Sequence, residues 1–231
     1  MAETGVSNAR ANFLDALDRL HERFLVGVEG VTEVWLARHA DAYTEWRSME
    51  DRAGIDQAGR IDPPLSGQGR REAEALGKRV GHAGISAIYC SDIGRAQETA
   101  EIAGRRLGIG PRVDPRLREM KTAWEHPPGA DGNDSRAYRY IPFVEPVAEV
   151  IERMGAAMRD IVATAPGERV LAVSHAGAIT AYLCHVLQLD FGQLRVLPRY
   201  TSVSVLVFKD DLAVVQSIAD IGHLSPRQSG G

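Results

Sequence analysis

Three short apolar runs in this chain each end in residues suited to holding phosphate. Residues 34–37 run into Arg38-His39, residues 170–174 into His175-Ala176-Gly177, and residues 85–90 into Ser91-Asp92 with Arg95 just beyond. Arginine presents a planar fork of donors that grips two phosphate oxygens at once and keeps its charge. A neutral imidazole can attack phosphorus through one ring nitrogen while a hydrogen bond holds the other. A second histidine can donate to the equatorial oxygens as charge moves in the transition state. Such a site still needs a proton for the leaving oxygen, which a carboxylic acid can supply. A single strand-end histidine is more often structural. Two histidines and two arginines at equivalent strand ends point to phosphoryl chemistry, because ligands of open α/β sheets bind beyond the carboxyl ends of the strands.

That convergence requires the three runs to be neighbouring parallel strands. Helical patterns over residues 68–80, 94–107 and 147–163 alternate with them, which predicts a three-layer α/β/α sandwich with a mainly parallel sheet. Residues 202–208 and 212–218 flank Lys209-Asp210-Asp211 and read as an antiparallel hairpin at a sheet edge. Ahead of the first strand, Phe13, Leu17, Leu20 and Phe24 mark one face of an amphipathic helix that Gly27 and Gly30 should end. This added N-terminal helix must cover the core or a partner subunit, so a homodimer is an open expectation. Residues 123–146, with Pro127, Pro128, Gly129 and Gly132, predict an ordered loop or lid. The expected organisation is a helical extension over residues 1–30, a catalytic domain over 31–224 and a flexible tail over 225–231.

The 231 residues carry 27 basic and 31 acidic side chains, a formal charge of −4, which argues against broad nucleic-acid binding. No apolar run is long enough for a secretory signal or a membrane span, so the expectation is a cytoplasmic protein. Cys90 and Cys184 lie in apolar surroundings and read as reduced, buried thiols. The histidines show no H-x-x-x-H spacing and the cysteines no C-x-x-C, so no metal site is expected. Gly108-Ile109-Gly110 follows a helix instead of a strand and reads as a helix stop, not a dinucleotide fingerprint.

Trp35-Leu36-Ala37-Arg38-His39-Ala40 resembles the signature of the histidine phosphatase superfamily, which includes cofactor-dependent phosphoglycerate mutases. Leu65-Ser66-Gly67-Gln68-Gly69 followed by Ala73, the stretch Ser91-Asp92-Ile93-Gly94-Arg95-Ala96-Gln97-Glu98-Thr99-Ala100, Arg116-Leu117-Arg118-Glu119 and Val173-Ser174-His175-Ala176-Gly177 resemble further family segments, in the family's order. The resemblance implies that His39 is the nucleophile that becomes phosphorylated. It implies that Arg38, Arg95 and His175 bind the phosphoryl group, and that Glu119 gives a proton to the leaving group and then activates water. No cofactor and no metal are implied, and the partner is a small phosphate ester.

The chain departs from the family pattern in places. Ala40 replaces the usual glycine. Glu45 stands where many members have a phosphate-binding asparagine, so it must point away or pair with an arginine such as Arg47. The adjacent arginines that mutases use are missing, since Arg136 and Arg139 are separated. Candidates for substrate selection are Tyr43, Trp46, Arg47, Lys121, Trp124, Arg136 and Arg139, with Trp46 and Trp124 equally able to pack loops on the core. The expected function is hydrolysis of a phosphate monoester through a phosphohistidine. The alternatives are a cofactor-dependent phosphoglycerate mutase and a non-catalytic phospholigand-binding protein.

Overall fold

Strands with apolar side chains on both faces must be covered on both faces. Strands β1 (Thr32–Arg38), β2 (Ile85–Cys90) and β4 (Arg169–Ser174) meet that condition in the computed structural model. It describes residues 2–45, 54, 61–122 and 143–224, with residues 2–9 as backbone alone. Alternate side chains divide between two cores, as a period of two requires. Val34, Leu36, Ala87, Tyr89, Val170 and Ala172 pack beneath helices α4 (Val147–Thr164) and α5 (Ala176–Val186). Ala37, Ile88, Cys90, Leu171 and Val173 pack beneath α2 (Gly67–Gly81) and α3 (Gly94–Gly104). Fully buried side chains such as Leu36 and Leu171 each stabilise the fold by about 1.5–3 kcal/mol relative to exposure.

The sheet has six strands in the order β3-β2-β4-β1-β5-β6, with β3 (Arg112–Val113), β5 (Val203–Lys209) and β6 (Leu212–Asp220) completing it. β3, β2, β4 and β1 are mutually parallel, while β5 runs antiparallel to β1 and β6 antiparallel to β5. This is the three-layer sandwich expected, with the hairpin at its edge. Lys209 belongs to β5, so the turn is Asp210-Asp211, with Asp210 at φ +50°.

The differences from expectation lie at element ends. α3 stops at Gly104, and the chain turns through residues 105–108 to a left-handed Gly108. The two-residue strand β3 and the 3₁₀ turn Pro115–Leu117 carried too little pattern to be read. Both cysteines are free and buried.

Helix α1 spans Ala2–Arg23 and ends before the expected glycines, because Leu25 already takes a left-handed conformation at φ +53°. Its apolar face does not cover the core: Phe13, Leu20 and Phe24 are exposed. Among the described residues, no helix is long and apolar enough to cross a membrane. The tail over 225–231 lies outside the described residues.

Candidate active site

Sheet register assembles the cluster. Arg38 on β1 lies opposite Ser174 on β4, and Cys90 on β2 lies opposite Val173. Each ladder continues one residue further, with His39 N–H donating to Ser174 O at 2.9 Å and Ser91 N–H to Val173 O at 3.0 Å. His39, His175 and Ser91 therefore emerge side by side at the carboxyl edge, the two imidazole centroids 5.0 Å apart. Arg95 reaches the same point from the first turn of α3.

The donors fix both tautomers, because arginine can only donate and a carbonyl can only accept. Arg95 Nε donates to His39 Nε2 at 3.2 Å, so the proton of His39 is on Nδ1, which donates to Ala40 O at 2.7 Å. Arg95 Nη2 donates to His175 Nδ1 at 3.4 Å, so His175 carries its proton on Nε2 and gives it to Ser91 Oγ at 2.9 Å. The lone pair of His39 thus points at the arginine side of the crevice. Both histidines are almost fully buried. Burial holds each imidazole well below its ordinary value, and the charges of Arg95 and Arg38 push in the same direction.

The arginines are held from outside the strand ends. Arg95 Nη1 donates to Ile61 O at 2.8 Å and pairs with Asp62 at 3.5 Å. Asp62 also accepts from the N–H groups of Gly94 and Arg95, which open α3. Arg38 Nη1 donates to Pro198 O at 2.8 Å, and its guanidinium lies over the Tyr200 ring at 4.1 Å. Arg38 Nε is buried without a hydrogen-bond partner among the described residues. Tyr43 and Tyr200 flank the nucleophile, their rings 6.2 and 5.8 Å from that of His39. Burial pushes both phenols up, so each remains a neutral donor.

The turn that carries Tyr43 is fastened by carboxylates. Asp41 accepts from Tyr43 N–H at 3.1 Å and from Ser66 Oγ at 2.6 Å, and Glu72 accepts from Asp41 N–H at 3.0 Å. Gly69 makes this possible: a Cβ there would stand 1.9 Å from Asp41 O. Glu45 accepts from Gly67 N–H at 2.8 Å at the start of α2.

Glu119 stands against the start of α5. Its Oε1 accepts from Met120 N–H at 2.9 Å and Ala178 N–H at 3.0 Å, and its Oε2 from Gly177 N–H at 3.2 Å. The carboxyl therefore caps the N-terminus of α5, the helix that begins directly after His175. A Cβ on Gly177 would stand 2.8 Å from Glu119 Oε1. A carboxylate offers about four lone-pair positions, so Oε2 keeps one for a proton in transit.

The structure thus brings together Arg38, His39, Arg95 and His175, sets Tyr43 beside them, and places Glu119 on the loop facing α5. Lys121 is exposed and lines a shallow groove with Arg116, Arg118 and Arg153. Trp46, Arg47, Trp124, Arg136 and Arg139 lie outside the described residues. Sequence reasoning missed Asp62 and Tyr200, which hold Arg95 and Arg38. Neither sits at a strand end, and only the tyrosine type at 200 was a signal. Among the described residues, no group of three or more His, Cys, Asp or Glu side chains is arranged to hold a metal ion.

A family model described as the histidine phosphatase superfamily, branch 1, matches residues 34–221. Proteins named probable phosphoglycerate mutase GpmB match at 32% identity in Cronobacter sakazakii and 31% in Proteus mirabilis. The first alignment covers 83% of this chain and 94% of the relative, the second 84% and 95%. Among solved structures, YhfR of Bacillus stearothermophilus is 27% identical with a TM-score of 0.64, over 83% of this chain and 98% of that one. A mycobacterial glucosyl-3-phosphoglycerate phosphatase at 23% identity and a TM-score of 0.61, over 80% of this chain and 98% of that one, shares the fold.

Proposed function

The chain belongs to the histidine phosphatase superfamily, branch 1, and on that premise we propose that it hydrolyses a small phosphate monoester through a phosphohistidine on His39. The observation that carries this reading is the fixed tautomer of His39: Nδ1–H is bound to Ala40 O, and Nε2 faces Arg95 with its lone pair. Burial beside two arginines keeps that nitrogen unprotonated, which is the state a nucleophile needs.

In the first half-reaction, His39 Nε2 bonds to phosphorus as the ester P–O bond breaks. The leaving oxygen takes its proton from Glu119 Oε2. Arg38, with its buried Nε donor, and Arg95 hold the equatorial oxygens. The negative charge of the phosphoryl group offsets the two arginines and favours a proton on His175 Nδ1, which then donates to a third oxygen. In the second half, the Glu119 carboxylate takes a proton from water and the water oxygen attacks phosphorus. The N–P bond breaks, inorganic phosphate leaves, and Glu119 is again protonated. Positive charge comes from Arg38, Arg95 and His175, so the reaction is metal-independent as written.

Quenching the enzyme in alkali during turnover should trap acid-labile phosphate on His39. His39→Ala should lose both the label and at least about 10⁴-fold in activity. A variant that kept hydrolysing phosphate esters would end this reading.

The relatives named phosphoglycerate mutase favour a second reading, in which the phosphohistidine passes its phosphoryl group to a second hydroxyl instead of to water. The separated Arg136 and Arg139 argue against it. Interconversion of monophosphoglycerates that depends on added 2,3-bisphosphoglycerate would decide for the mutase.

A further inference from the structure

No strand ladder holds Glu119. The segment before it is the 3₁₀ turn Pro115–Leu117. The segment after it meets Phe143 through one isolated bridge, Thr122 to Phe143. Leu117 and Met120 are buried in the core, Ser174 Oγ donates to Leu117 O at 2.7 Å, and Arg118 pairs with Asp92. Three further main-chain carbonyls of the segment are bound by one side chain from α4. Arg153 Nη1 donates to Arg116 O at 2.7 Å and to Arg118 O at 2.8 Å, and its Nη2 donates to Glu119 O at 3.2 Å. The remaining donors form a fork on Glu145, with Nε to Oε1 at 2.8 Å and Nη2 to Oε2 at 3.0 Å.

Glu145 is buried, and its Oε2 also accepts Lys121 N–H at 3.1 Å. Beside it, Val144 N–H donates to Lys121 O at 2.9 Å. One guanidinium and one carboxylate therefore bind the main chain at residues 116, 118, 119 and 121. They do so from behind, while the Glu119 carboxyl faces the amides of α5. A buried ion pair is weak support for overall stability, because its desolvation offsets most of its attraction. Three guanidinium donors spent on one short segment, with two more on the carboxylate that binds Lys121 N–H, serve to set its position. In a site of this kind, a displacement of about 1 Å can cost about 10²-fold in rate.

We propose that Arg153, held by Glu145, is a positioning residue for proton transfer and acts through Glu119. The inference rests on the phosphatase reading, with Glu119 as proton donor. It concerns the first half-reaction, in which the leaving oxygen must be protonated. A p-nitrophenolate leaves without a proton, whereas an alkoxide needs one. Loss of the clamp should therefore separate the two classes of ester.

The test is kcat/KM, which reports the steps through departure of the alcohol, for p-nitrophenyl phosphate and for β-glycerophosphate. Wild type, His39→Ala, Glu119→Gln, Arg153→Gln, Arg153→Lys and Glu145→Gln are compared. Glu119→Gln should lower the alkyl ester by about 10²-fold or more and the nitrophenyl ester far less. Arg153→Gln should show the same selectivity, on the order of tenfold to 10²-fold, and add little when combined with Glu119→Gln. Arg153→Lys should restore part of the loss, since an ammonium reaches one carbonyl but cannot hold the fork. Should Arg153→Gln fail to fold, Arg153→Lys and Glu145→Gln carry the same comparison.

Equal losses on both esters, or no loss on either, would overturn the clamp while leaving Glu119 in place. A Glu119→Gln enzyme that treats both esters alike would remove the acid assignment and the clamp together. Retained activity in His39→Ala would remove the phosphatase reading itself, and the clamp with it.

Discussion

In the proposed reading, the residues that hold the phosphoryl group (the phosphoryl wall) and the residue that gives the proton (the acid wall) are held by different means. On the phosphoryl wall, His39, His175 and Ser91 follow directly from paired strands, and backbone hydrogen bonds set their spacing. On the acid wall, Glu119 follows a 3₁₀ turn and is set by hydrogen bonds that involve side chains. Arg153 and Glu145 bind the main chain around it from behind, and its own carboxyl binds the α5 amides in front. A ladder distributes its geometry over many equivalent bonds, so the loss of one contact is shared. A side-chain clamp concentrates it in a few groups. The phosphoryl wall should therefore respond to changes in what a residue does, and the acid wall to changes in where a residue sits.

Arg95→Ala gives the largest expected effect. On the proposed reading it removes donors to the phosphoryl oxygens, and it takes the guanidinium partner from the Asp62 carboxylate. kcat/KM should fall by about 10³-fold, the scale for a lost transition-state donor. The fall should be equal for alkyl and nitrophenyl esters, because both carry the same phosphoryl group. A loss confined to alkyl esters would break the division between walls.

Gly177→Ala should come next, and on the other side. The new methyl would approach Glu119 Oε1 at 2.8 Å, Phe143 Cζ at 3.1 Å and Met120 Sδ at 3.2 Å. Those are the ends of flexible side chains, so the fold should survive at a cost of about 1–3 kcal/mol, read as a drop in Tm. The displaced carboxyl should lower alkyl-ester turnover by about tenfold to 10²-fold and spare the nitrophenyl ester. Equal turnover of both esters would show that Glu119 tolerates displacement.

The smallest effect should be with pH, and it separates stability from catalysis. His39 and His175 are neutral when folded and held well below the ordinary 6.5, whereas in the unfolded chain they protonate near 6.5. His223, between Arg79 and Thr201, is pushed down to about 4 by burial and the Arg79 charge. Below about pH 6.5 the unfolded state takes up protons that the folded state refuses, so stability falls as pH falls. Above that pH the contribution is complete. Tm should therefore be lower at pH 5 than at pH 7.5. Over the same range kcat should not drop through protonation of His39. An acid limb in kcat near 6.5 would contradict the buried, arginine-flanked nucleophile.

The same contrast explains what was legible in the sequence. The apolar runs ending at Arg38-His39, Ser91 and His175 were readable because period and residue type mark strands locally, and an α/β alternation leaves few topologies. Tyr200, Asp62, Glu145 and Arg153 were not readable. Tyr200 and Asp62 meet their arginines across a long stretch of chain, as Arg153 and Glu145 meet the segment around Glu119. An arginine within an amphipathic helix also looks like any solvated charge. Of the two coverings expected of α1, the core is excluded for a related reason: its apolar stripe specifies a helix, not what the helix packs against.

By itself, the sequence determined β1, β2, β4 and the edge hairpin, the layers, and the residue types suited to phosphate, because these follow from local periodicity and chemistry. Only the tertiary structure decided the tautomers of His39 and His175, the stacking of Arg38 on Tyr200, and the clamp of Arg153 and Glu145 behind Glu119. Those depend on which donor faces which acceptor at about 3 Å, and that spacing is settled when distant segments pack.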